Sequence, residues 1–412
     1  MIFSAPHFSR RRGSPLFSLG QGLIAFLLLA SSVAFGQQAP RNPGFRNLQS
    51  RAETAARKNR LDEAATLYAR ALGLRPRWAE GWWALGTLEY DRDRYLPAAH
   101  AFQQLLKLQP SNGTAHAMLG LCQFESGKDD LALKNLLAAE HFGVLDREDL
   151  RRVALYHLGI LQLRARRFGD AQQTLAELAK KKVRTKELIL ALGQAALLVN
   201  PQESPSENSD ATTVIEQVGR AEALGETGEF EQGKQIYTAL TARYAAYPNL
   251  HFAFGRFLLE THETDEAVAE FERELDRDPR SVNSMLEIAS VRYQVDSLAG
   301  LKYAEQAVKL APQMPFAHYM RGVLRLDTGD AAGAIPDLEF ARQAFPDQSK
   351  IYFSLGAAYA RVGRKTDAAK ARAEFLRLDK EASTPGSNVY GERPPGISEG
   401  ELRNQRGGNP HQ

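Results

Sequence analysis

Nine histidines and a single cysteine are the residues of this chain that most readily suggest metal or acid–base chemistry, and their spacing argues against both. His116, His251 and His318 lie far apart, so no two of them reach the i, i+4 spacing that sets two imidazoles on one helix face. His100, His141, His157 and His262 are isolated and carry no recognisable partner. Cys122, having no second thiol, can form neither an intrachain disulfide nor a multi-cysteine metal site, and reads as a small buried apolar residue. The chain has no Gly-x-Ser-x-Gly, no phosphate-cradling glycine loop and no His-Glu-x-x-His. Acidic residues are common, but nothing in their spacing holds two of them together in an apolar cleft. Asn112-Gly113-Thr114 has the form of a glycosylation acceptor, yet Asn and Gly there also suit a turn. The sequence therefore predicts no catalytic residue, no metal and no cofactor, and the chain reads as non-enzymatic. A formal net charge of +3 gives no argument for nucleic acid.

The elements that position these side chains follow from a period of 34. Ala64, Ala98 and Ala132 are spaced by it, as are Pro76 and Pro110, Gly86 and Gly120, Gly322 and Gly356, and Ala334 and Ala368. Such a period marks one small structural unit copied many times, each copy too small to bury its own apolar face. Residues 79–110 show the unit best. Trp82, Leu85, Gly86 and Tyr90 fall on one helical stripe, Arg92-Asp93-Arg94 marks a turn, and Ala98, Phe102, Leu105 and Leu106 form a second stripe that Pro110 ends. The spacing predicts a helical hairpin with small residues where the two backbones approach. Gly127, Gly228, Gly329 and Gly363 fall where first helices end, a place that favours a left-handed residue.

The Trp82-x-x-Leu85-Gly86 opening with later Ala98, Phe102 and Pro110 resembles the tetratricopeptide repeat. Leu119, Gly120 and Ala132 carry the resemblance in the third copy, Leu158, Gly159, Phe168 and Ala171 in the fourth, and Gly255, Ala267, Phe271 and Pro279 in a later one. It extends over most of residues 45–382. The resemblance implies an all-α fold, a right-handed α-solenoid of about nine helical-hairpin repeats. Residues 187–199 place Gly193 one period beyond Gly159, after which the Pro/Ser-rich 200–210 interrupts helix without a matching second helix. We therefore expect two blocks, 45–199 with four repeats plus a half-repeat and 211–381 with five, joined by the linker 200–210. The tail 382–412, with Pro385, Pro394 and Pro395 and no apolar periodicity, is expected to be disordered.

The N-terminus reads differently. Arg10, Arg11 and Arg12 precede an apolar stretch that leads to Ala34-Phe35-Gly36, the layout of a secretory signal peptide removed after Gly36. Residues 37–44 form a short linker behind it. The alternative is an uncleaved inner-membrane anchor over residues 16–35, which Gly20, Gln21 and Gly22 weaken. Both readings place the chain outside the cytoplasm, in the periplasm or beyond.

The resemblance further implies that the first helices line a concave surface. On that alignment the inward positions hold Trp83, Tyr90, Phe124, Tyr156, Phe252, Tyr319 and Phe353, with Arg164, Arg256 and Arg361 at the rim. An aromatic lining suits apolar segments of a protein or peptide partner. Packing between neighbouring first helices would select the same rings. The Lys, Asn and Arg with which relatives grip chaperone C-termini are replaced by Gln49, Glu53, Ala84, Thr114 and Met118, which argues against that partner class. Two readings of function follow. One is a protein-interaction scaffold of the bacterial cell envelope. The other is an accessory subunit that positions an envelope carbohydrate-processing or secretion machine.

Overall fold

The computed structural model describes residues 43–144, 147–203 and 210–382. The signal segment 1–36, most of the 200–210 linker and all but the first residue of the 382–412 tail lie outside them. The described residues are helical, and the chain divides into two compact units between Leu161 and Gln162.

The first unit contains α1 (Pro43–Arg57), α2 (Leu61–Leu74), α3 (Ala79–Asp91), α4 (Tyr95–Leu108), α5 (Gly113–Glu125), α6 (Asp129–Phe142) and most of α7 (Glu148–Arg164). Helices pair as α1 with α2, α3 with α4 and α5 with α6, and the hairpins stack through α2 on α3 and α4 on α5. The small residues found by their period sit where the pairs touch. A Cβ on Gly86 would lie 2.8 Å from the Phe102 ring, and one on Gly120 would lie 2.7 Å from Leu136. Ala64, Ala98 and Ala132 are all fully buried. Asn112 caps α5, its side chain accepting from the Ala115 N–H at 2.9 Å, which gives the Asn-Gly-Thr triplet a structural duty.

The second unit contains α8 (Phe168–Lys180), α9 (Lys186–Ala196), a short 3-10 turn (Pro201–Glu203), α10 (Asp210–Gly225), α11 (Phe230–Arg243), α12 (Leu250–Glu260) and α13 (Thr264–Arg277). It continues with α14 (Val282–Arg292), α15 (Ser297–Leu310), α16 (Pro315–Asp327), α17 (Ala331–Ala344), α18 (Ser349–Arg361) and α19 (Lys365–Ala382). The pairing of the first unit recurs here, with Gly255 against Phe271 and Gly322 against Leu338. Stacked hairpins of this kind make an all-α solenoid.

Where first helices end, the backbone turns left-handed with the same period of 34. Gly127, Gly228, Gly329 and Gly363 all have positive φ. Asn59, Asp93 and His262 take the same conformation in other copies at 56°, 56° and 61°, so glycine is favoured there but not required.

The segment 187–199 departs from the sequence reading. It is not left without a second helix, because α9 packs against α10 on the far side of the Pro/Ser-rich segment. A Cβ on Gly193 would fall 1.8 Å from the Ile215 carbonyl oxygen, and one on Gly219 would fall 1.8 Å from that of Ile189. Residue 189 thus faces 219 while 193 faces 215, so the two helices run antiparallel at backbone contact. The division between units accordingly falls within α7, about forty residues before the linker that the sequence suggested as the boundary.

Candidate partner-binding surface

The histidines of the repeat have a polar duty that their spacing does not reveal. Trp82, His116, His318 and Tyr352 share one position in their copies, and each reaches back across the turn between hairpins. Trp82 donates through Nε1 to the Pro76 carbonyl at 2.8 Å, and Tyr352 through its hydroxyl to that of Pro346 at 2.8 Å. His116 Nε2 pairs with the Pro110 carbonyl at 2.9 Å, and His318 Nε2 with that of Pro312 at 3.0 Å. In each case the carbonyl belongs to the proline that ends the preceding helix, six residues earlier. The other imidazole nitrogen meets a side chain of the second helix, nineteen residues later. Asn135 serves His116 at 2.9 Å, Glu270 serves His251 at 2.6 Å, and Asp337 serves His318 at 2.7 Å. The position therefore takes a ring with a polar edge. Among the histidines read as lacking partners, His157 is buried, binds the Val153 carbonyl at 2.8 Å and sits edge-on to Phe124 at 4.6 Å.

The aromatic positions divide by environment. In the first unit Trp83, Tyr90, Phe124 and Tyr156 are half-buried. Trp83 meets Phe102 edge-on at 5.5 Å and lies under the Arg147 guanidinium at 5.9 Å. Tyr90 packs against Tyr95 at 5.5 Å, and burial pushes its phenol above the ordinary range. In the second unit Tyr319 is half-buried, stacked on Phe316 at 6.2 Å, with its phenol likewise raised by burial. Phe252 is buried beside Phe271, and Phe353 is exposed. Most of these rings thus give much of their surface to neighbouring side chains. Of the rim arginines, Arg256 pairs with Glu287 at 3.6 Å, Arg361 donates to the Leu326 carbonyl, and the Arg164 carbonyl accepts from Asn200 Nδ2 at 3.1 Å.

Phe252 and Arg256 line a cavity of about 500 Å³ in the second unit. Its apolar walls include Leu286, Phe316 and Phe345, and Arg166 and Arg167 join Arg256 in lining it. Arg167 pairs with Asp170 at 2.6 Å and Arg166 with Glu203. The volume falls within the range of sites that enclose a small ligand or the side chains of a bound segment. Arg166 and Arg167 escaped the sequence reading, although the cluster Arg164-Ala165-Arg166-Arg167 in the turn after α7 was a visible signal.

The second unit also contains a carboxylate grouping that spacing did not reveal. Glu222 on α10 is buried, and both its oxygens accept hydrogen bonds, from the Tyr237 hydroxyl at 2.5 Å and from Gln172 Nε2 at 2.8 Å. Burial, then the charge of Glu260 on α12, pushes its carboxyl well above the usual carboxylate range, while the Tyr237 bond and Arg256 oppose the shift. Glu226, the residue just past the end of α10, pairs with Lys180 at 3.4 Å. Burial raises the Glu260 carboxyl as well, but that residue keeps contact with solvent, whereas Glu222 is buried and is the more enclosed proton site. Buried Cys122 has its thiol raised to about 12 by burial, as befits a packing residue. Among the described residues no three His, Cys, Asp or Glu side chains converge to hold a metal ion, and no helix is long and apolar enough to cross a membrane.

The family model described as tetratricopeptide repeat matches residues 84–142, 218–282 and 319–383. No curated protein matches the chain. Solved structures similar to it include MamA, at 18% identity over 40% of this chain and 96% of that one, with a TM-score of 0.37. Yeast Tom70 is similar at 16% identity over 82% of this chain and 69% of that one, with a TM-score of 0.33. A tetratricopeptide repeat protein from Parabacteroides merdae is similar at 15% identity over 77% of this chain and 99% of that one, with a TM-score of 0.30. These likenesses concern the fold alone.

Proposed function

Because this chain belongs to the tetratricopeptide-repeat family, we propose that it is a non-enzymatic scaffold of the bacterial cell envelope that holds a protein or peptide partner on its first helices. The observation that carries this reading is the cavity of about 500 Å³ built around Phe252 and Arg256. Its aromatic walls offer contact area at small entropic cost, and its guanidinium groups offer planar donors to carboxylates or to peptide carbonyls. Export rests on the basic, apolar and small-residue sequence of residues 10–36.

A photo-crosslinking residue in place of Asn283, an exposed lining position, tests the site. The expected result is a discrete adduct with one envelope protein that disappears when Arg256 is changed to Glu. An adduct pattern unaffected by Arg256→Glu, with the helical content unchanged, would sink the assignment. N-terminal sequencing of the exported chain tests the location. A start at Gln37 is expected, and an intact Met1 in the membrane fraction would replace the cleaved form with the anchored one.

A further inference from the structure

The last hairpin, α18 with α19, ends on an apolar face of the kind that everywhere else receives another helix. In internal hairpins a small or apolar side chain on the second helix lies under the first helix that follows. Ala71, Leu105 and Ala139 in the first unit, and Ala307 and Ala341 in the second, are 0–2% exposed at this place. The residue at the same place in α19 is Phe375, which is half-exposed, and beside it Leu376 is 64% exposed. On α18, Phe353, Ala357 and Ala360 form a stripe at i, i+4 and i+7. Their counterparts one period earlier, Tyr319, Val323 and Leu326, are buried or half-buried, whereas Phe353 is 62% exposed and meets the Phe375 ring at a tilt, 5.5 Å between centroids. No helix follows α19 among the described residues.

Charge selects the occupant. The neighbours of these five residues at helical spacing include Lys350, Arg361, Arg364, Arg372 and Lys380, against the single acid Asp379. Residues 349–382 as a whole carry eight basic side chains and four acidic ones. A second copy of the chain fits poorly, because this face would meet either itself or the first hairpin. Residues 43–74 of that hairpin are also basic, with six basic side chains to three acidic. Like charges brought together across an interface oppose association. We propose that this end face docks an acidic amphipathic helix of a partner protein, which completes the array as a further first helix would. The site is separate from the cavity at Phe252 and stands without it.

The test titrates the full chain with two labelled helical peptides that share leucines on one face and carry either glutamate or lysine on the other. The acidic peptide is expected to bind, more weakly as salt rises, and the lysine peptide at least tenfold less tightly. Leu376→Glu and Phe353→Glu alter exposed positions and should each weaken the acidic peptide at least tenfold. Arg372→Glu should weaken it several-fold, and Arg256→Glu, in the cavity, should leave it unchanged. Equal binding of the two peptides, no binding of the acidic one, or binding indifferent to Leu376→Glu would overturn the proposal. So would a concentration-dependent dimer that Leu376→Glu abolishes, since the face would then belong to a second copy.

Discussion

Glu222→Gln should make this protein more stable at alkaline pH, although it removes a charged residue from a hydrogen-bonded site. The groups facing Glu222 are Gln172 from α8, Tyr237 from α11, Arg256 and Glu260 from α12, and Glu226 just past the end of its own helix. Burial dominates among them and holds the carboxyl in its protonated form, up to about 8 against an ordinary 4.5. Each tenfold change in proton affinity is worth ~1.4 kcal/mol, so the full shift sets an upper limit of about 5 kcal/mol. Water entry and relaxation around the ionised group reduce the expected effect to about 2 kcal/mol. The folded-state value is raised above the unfolded one. Stability from this site is therefore complete below about 4.5 and is lost as pH rises through about 8. Glutamine keeps the neutral shape without the titration: its carbonyl oxygen accepts from the Tyr237 hydroxyl, and its amide nitrogen donates to Gln172 once that amide turns to present its oxygen. Thermal melts followed by helical circular dichroism between pH 5 and pH 9 check this. Wild type and variant should agree within about 1 kcal/mol at pH 5 and separate at pH 9, with the variant melting roughly 4–8 °C higher for a unit of this size. Parallel pH profiles, or a variant that is less stable at pH 9, would refute the argument that the buried proton matters.

Gly193→Ala should be severely destabilising, by roughly 3 kcal/mol in urea melts, since its methyl would collide with a backbone carbonyl that no rotamer change can move. A cost under about 0.5 kcal/mol would mean that α9 and α10 are not in backbone contact. Tyr352→Phe should cost about 1 kcal/mol in the same assay, as the ring stays and only the bond to the Pro346 carbonyl is lost. His262→Gly should stabilise by about 1 kcal/mol, because His262 holds a left-handed backbone where Gly228 stands one period earlier. A loss on that substitution would show that the imidazole makes a contact worth more than the strain.

The sequence was most informative where one copy repeats another. The hairpins, the small contact residues such as Gly86 and Ala98, and the left-handed turns at Gly127 and Gly363 are all local and periodic. What escaped it depends on helices meeting outside that period. The pairing of Gly193 with Gly219 spans a stretch without helical pattern, so only three-dimensional proximity reveals it. Glu222 looked like one more surface acid because its partners come from three other helices. The cavity arginines at 166 and 167 lie in a turn, where neither helix face nor copy register predicts which way they point. The polar edge at Trp82, His116, His318 and Tyr352 was hidden differently. Tryptophan, histidine and tyrosine differ in size and type, and only their common ability to donate a hydrogen bond unites the position.

That shared bond bears on how such an array can be cut and rejoined. Donor and acceptor lie on either side of the turn between hairpins, Trp82 in one helix and Pro76 at the end of another. A segment excised from the start of one first helix to the start of the next would leave its ring without its own carbonyl. A segment running from one proline to the residue before the next, such as 76–109, carries the complete pair. The natural module for duplication, loss or transplantation therefore begins at the proline, within what looks like the tail of the previous hairpin.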